Sequence, residues 1–147
     1  MIAASTRNKV KSSYGTVKKI FKTITSAEIL ALNATPIEVI PAPGAGKEIK
    51  ITSASCKLTF GTAAYATQTS VHLITDTATV EQMICASVLA GTASKRQLFT
   101  PQGTVAAGGT QIIANKAVNA YVPTADPTTS GGTGTIEIEV SYEIIES

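Results

Sequence analysis

GTIEIEVSYEII, residues 134–145, decides the fold class. Ile136, Ile138, Val140, Tyr142 and Ile144 alternate with Glu137, Glu139, Ser141 and Glu143, so a strand here has one apolar and one wet face. Antiparallel sheets use such strands, packing one face on a core and leaving the other to water. The glutamates are evenly spaced, with no Asp or Asn loop ligands and no glycine at a calcium-loop offset. They read as a solvated face that also blocks edge pairing, not as a cation site.

The rest of the chain repeats the theme in shorter pieces. Its 147 residues suit one domain able to bury a core without metals or disulfides. Twenty-two threonines, 11 glycines, no tryptophan and 15% charged residues favour strands joined by many corners. PIEVIP, KEIKITSASCKLTF, SVHLIT, RQLFT, TQIIAN and AVNAYVPT read as further strands, the second long enough to need a bend or bulge. TVEQMICASVLAG fits both a helical face and a strand, and its neighbours favour the strand. In TSAEILALN, Thr25 and Glu28 have capping-box spacing and predict one or two helical turns ending near Asn33 and Pro36. The expectation is an all-β, antiparallel, jelly-roll-like sandwich of about seven or eight strands, with one short helical turn and an extended N-terminal arm.

Charge divides the chain unevenly. Residues 1–22 hold Arg7, Lys9, Lys11, Lys18, Lys19 and Lys22 and no acid, whereas residues 23–147 hold six bases and ten acids. We therefore expect an extended basic arm over 1–22 and a sandwich domain over 23–147, with the six bases of the arm as the partner-binding residues. VKKIFKTIT, at the junction, can itself form a first strand. No signal-peptide core and no apolar run of bilayer length are present, which predicts a soluble protein made in the cytoplasm.

Chemistry is sparse. PAPGAGKEIKI, residues 41–51, contains Gly-Ala-Gly-Lys, but a phosphate loop needs Gly where Pro41 stands and Ser or Thr where Glu48 stands. A turn is the better reading, with Pro43 fixing φ and Gly44 supplying a positive φ. His72 is the single histidine and reads as an ordinary strand residue. A Ser-His-Asp set would have to recruit Asp76 or Asp126. Cys56 and Cys85 lack metal-ligand spacing and read as buried, reduced thiols. Asn33-Ala34-Thr35 is a glycosylation sequon, silent without secretion. No catalytic residue, metal site or cofactor is expected. The tyrosines do not interleave with the arm, so no base-stacking platform for nucleic acid is evident.

TSAEILALNATPIEVIPAPGAGKEIKI, residues 25–51, resembles a segment of small structural proteins of tailed bacteriophages, and LTFGTAAYA, residues 58–66, looks like that family's next block. The alternating C-terminal strand is similar to its usual ending, while the residues before Thr25 lie outside the pattern. The resemblance implies a virion-associated β-sandwich protein, most plainly a capsid auxiliary or decoration protein on the capsid surface. Its partners would be the major capsid protein or other virion proteins, and it would form a homo-oligomer, a trimer by analogy with other capsids. Two other readings stay open: a neck, tail or head-fibre adaptor, and a nucleic-acid-binding module using the basic arm.

Overall fold

The computed structural model describes residues 16–75, 81–101, 114–129, 131 and 133–147. Nine strands lie among them: β1 (Lys18–Ile24), β2 (Ile37–Ile40), β3 (Lys47–Thr59), β4 (Val71–Thr75), β5 (Glu81–Cys85), β6 (Lys95–Leu98), β7 (Thr100–Pro101), β8 (Val118–Tyr121) and β9 (Thr135–Glu146). A four-residue helix, α1 (Ser26–Ile29), and a 3₁₀ turn at Val88–Ala90 complete the set. The expected strand in TQIIAN lies almost wholly outside the described residues, only Ala114 and Asn115 being placed, in a turn.

Pairing is antiparallel throughout, and the pairs nest. β1 joins β9, β2 joins β8, β3 joins β6 and β4 joins β5, as in one long hairpin rolled upon itself. Ladders between β3 and β9 and between β4 and β8 turn the roll into two sheets, β1-β9-β3-β6 and β2-β8-β4-β5-β7. Setting aside the two-residue β7, this is the strand order of an eight-stranded jelly roll, so the expected fold class is the one observed.

The core lies between the sheets. β9 contributes Ile136, Ile138, Val140 and Tyr142 to it, as its alternation predicts, and β4 and β8 answer from the facing sheet with Val71, Leu73, Val118 and Ala120. β3 carries the expected bulge. Its register with β9 slips between Ile51 and Ser53, and Thr52 is the extra residue. Inward positions therefore change parity along this one strand, from Ile49 and Ile51 to Ala54, Cys56 and Leu58. Simple alternation through this strand would put Ile49, Ile51, Ser53 and Ser55 on one face, and it fails beyond Thr52 for that reason.

In TVEQMICASVLAG the strand that its neighbours favour is the one observed, and the helical face does not form. Glu81–Cys85 is strand β5, and two residues later the chain tightens into the 3₁₀ turn, burying Val88 and Leu89. At the helical turn, Thr25 is the N-cap, its Oγ1 accepting from the Glu28 amide at 3.3 Å. The reciprocal link runs from the Thr25 hydroxyl to the Glu28 carboxylate (3.0 Å) instead of from the Thr25 amide.

Four connections meet at one end of the roll: β1–β2, β3–β4, β5–β6 and β8–β9. The buried Tyr65, itself in the β3–β4 connection, ties it to the other three. Its hydroxyl donates to the Gly134 carbonyl (2.7 Å) and lies 2.9 Å from Ser26 Oγ, while its amide donates to Leu89 O (3.1 Å) in the fourth. The Asp126 carboxylate accepts from the amides of Asn33 (2.8 Å) and Ala34 (3.0 Å). Asn33 Nδ2 in turn donates to Val122 O (2.8 Å). At Gly61 an added Cβ would stand 2.6 Å from Thr133 Oγ1 and 2.7 Å from Gly134 N, so only glycine lets these two loops approach.

Candidate functional site: the open margin and outer face of the four-stranded sheet

Among the described residues β1 has one strand neighbour, β9, and therefore forms the margin of the described sheet. Lys18, Lys19 and Lys22 lie on it, so the boundary expected between residues 22 and 23 falls inside a strand. Arg7, Lys9 and Lys11 lie outside the described residues. The register separates the three strand lysines. Lys18 and Lys22 stand opposite Tyr142 and Ile138, on the side facing the other sheet, whereas Lys19 stands opposite Ser141 on the outer face. Neither Lys18 nor Lys22 has an ion-pair partner among the described residues.

The outer face is organised around Glu139. Its carboxylate meets Lys19 Nζ at 3.1 Å and Arg96 Nη1 at 3.5 Å, and the same guanidinium nitrogen donates to Ser55 Oγ at 2.7 Å. Glu139 is thus clamped between residues from both flanking directions. Across the strands Phe21, Glu139, Ser55 and Leu98 form one row. Its two ends are apolar and open, Phe21 being 56% and Leu98 71% exposed. At about 4.8 Å per strand spacing they stand about 14 Å apart. Between them a shallow groove of about 130 Å³ is lined by Ser53, Ser55, Leu98, Glu139 and Ser141.

This geometry corrects one expectation. The glutamates do not guard an edge, because β9 is paired on both sides. Glu137 and Glu143 instead face Lys57 and Lys50 across the ladder to β3. The face is a lattice of both signs, in which opposite charges are cross-strand neighbours. Sequence alternation located the glutamates but not their partners. Those come from strands paired at a distance that no local pattern encodes.

Elsewhere the polar groups serve the fold. The PAPGAG corner holds a hydrogen-bonded turn from Gly44 to Lys47, one pair further along than Pro43-Gly44, with positive φ at Gly44 (107°) and Gly46 (72°). The Gly44 amide donates to Asn115 Oδ1 (3.0 Å), and Gly46 O accepts from the Ser147 amide (2.8 Å). These groups close a corner, and the Lys47 amide is taken by Gly44 O (3.2 Å) instead of facing an anion.

His72 is a buried residue of β4, and its carboxylate neighbour is Glu81, 2.9 Å from Nδ1. Asp126 is committed to backbone amides, and Asp76 lies outside the described residues. Among the described residues no group of three His, Cys, Asp or Glu side chains is placed to hold a metal. No described helix is long and apolar enough to cross a membrane. Cys56 and Cys85 are free and buried. The hydrogen bond with Cys85, together with burial, pushes the Cys56 thiol up, so it stays protonated and inert. An apolar hollow of about 400 Å³ beside α1 is lined by Ala27, Glu28, Ala31, Thr35 and Ile37.

No family model and no curated protein matches the chain. Among solved structures, a chain of the capsid asymmetric unit of cyanophage Pam1 is similar at 21% identity and a TM-score of 0.48, over 88% of this chain and 86% of that one. A likeness of that degree carries no argument about what this chain does.

Proposed function

We propose that the chain is a structural protein of a tailed-phage virion, attached to the capsid lattice as an auxiliary or decoration protein. Its basic leader and the outer sheet would be the contact surfaces. The reading rests first on the resemblance carried by residues 25–51 and 58–66. The first part of one block, residues 25–36, and most of the other lie at the closed loop end, joined through Ser26 and Tyr65, where they act as scaffold instead of offering reactive groups. Jelly rolls recur among viral capsid domains, an analogy of fold that adds to the reading without naming a role. The observation that carries the attachment model is positional. β1 begins at Lys18 on the sheet margin, so the chain carrying Arg7, Lys9 and Lys11 joins the body at an edge, within reach of a neighbour. Many copies on a lattice then turn modest single contacts into durable attachment.

The register dictates the experiment. Removing residues 1–22 would delete most of a core-lining strand, whereas removing 1–15 spares β1. The shorter deletion is expected to melt at the same temperature as the full chain and to lose co-sedimentation with particles. Normal decoration by this variant would refute the arm's role. Copy number against the major capsid protein separates a lattice component, in hundreds, from a neck or tail adaptor in about six or twelve.

A further inference from the structure

We propose that the free margin of β1 is a docking edge for an extended acidic segment of another protein, added to the sheet as a fifth strand. Among the described residues β1 is the longest marginal strand. It has seven residues, against four in β2, four in β6 and two in β7. Proteins commonly keep such edges short, so a seven-residue edge with one neighbour is a template for strand addition. Its side chains choose the occupant. KKIFKTI has three lysines and no acid, so two copies of β1 laid edge to edge would set like charges against each other. An acidic strand meets the opposite situation.

The spacing is specific. Lys18 and Lys22 share one side of the strand, about 13 Å apart at about 3.3 Å per residue, with the half-buried Ile20 between them. Lys19 on the other side is already held by Glu139, which leaves Lys18 and Lys22 as the unpaired cations of this edge among the described residues. The matching segment therefore carries two carboxylates four residues apart, with an apolar residue midway on the same face. Under the virion reading above, that segment belongs to the lattice protein. The edge itself can be tested without any particle, so failure of one does not decide the other.

The probe is a capped heptapeptide, Thr-Glu-Thr-Val-Thr-Glu-Thr, compared with its counterpart bearing Lys for Glu, each added to the full-length protein. The acidic peptide is expected to bind at least tenfold more tightly, to weaken steeply with salt, and to slow amide exchange within residues 18–24. The K18E/K22E double variant is expected to reverse the preference, and K18E alone, at the fully exposed position, is expected to remove most of it without the partly buried Lys22 being changed. Equal affinity for both peptides, no binding of either, or protection confined to other strands would overturn the proposal.

Discussion

β9 and β4 occupy equivalent places, each flanked on both sides within its own sheet, yet they face different surroundings. Along β9 the residues from Ile136 to Tyr142 alternate between buried and partly exposed, and the exposed set is a charged surface. All five residues of β4 are buried, including His72 and Ile74, which point away from the core lined by Val71 and Leu73. One sheet thus meets water on its outer side, and the other is covered at its centre. The four-stranded sheet is the side on which the molecule can meet a partner through charge. At the centre of the five-stranded sheet, polar groups such as His72 must be satisfied internally, as Glu81 does.

Truncation should expose this difference most strongly. On the inner faces, Ile138→Ala and Leu73→Ala are each expected to cost about 2–5 kcal/mol in chemical denaturation, as buried aliphatic deletions do. On the outer faces the strands should diverge. Ile74→Ala should cost about as much as Leu73→Ala, whereas Glu139→Ala should stay within about 1 kcal/mol. An Ile74 variant as stable as the parent would erase the contrast.

A smaller effect is expected where the two sheets are linked through their loops. Gly61→Ala forces a methyl group against the backbone at Gly134 and should destabilise by about 1–3 kcal/mol. An unchanged melting temperature would show that this end is looser than its hydrogen bonds indicate.

The least effect belongs to the charged face. Glu139→Gln should cost under about 1 kcal/mol, and the difference should shrink as salt is raised from low to physiological strength. A salt-independent loss above that size would mean that the Lys19–Glu139–Arg96 cluster is structural and not a surface feature.

What the amino-acid sequence alone makes legible follows from the same contrast. β9 was legible because one wet face imposes a period of two. β4 is legible as a strand with Val71 and Leu73 opposite His72 and Ile74, but nothing in its sequence tells that the second face is covered as well. β1 is legible as a strand in VKKIFKTIT, yet the arm boundary at Lys22 cuts through it, because composition reports charge whereas pairing with β9 is set by a segment more than a hundred residues away. β5 looked ambiguous because the strand gives way to a 3₁₀ turn within one reading window. The Glu139 cluster and the Tyr65 knot escaped altogether. Each joins residues from separate strands or loops, and only the capping signal at Thr25 and the polar Asn33 after it hinted at the loop end.

Thr52 gives β3 one residue more than its ladder requires. Ile51 and Ser53 already face Tyr142 and Ser141, which are consecutive in β9. The strand could be shortened at that single position and every remaining partnership would survive. Excising Ala54 would use up the same slack only by drawing Ser53 into the buried place opposite Val140, whereas a cut far from the bulge would leave one segment to slide along β9 or turn its apolar side chains outward. Thr52 is thus the spare link through which this strand can change length without being turned inside out.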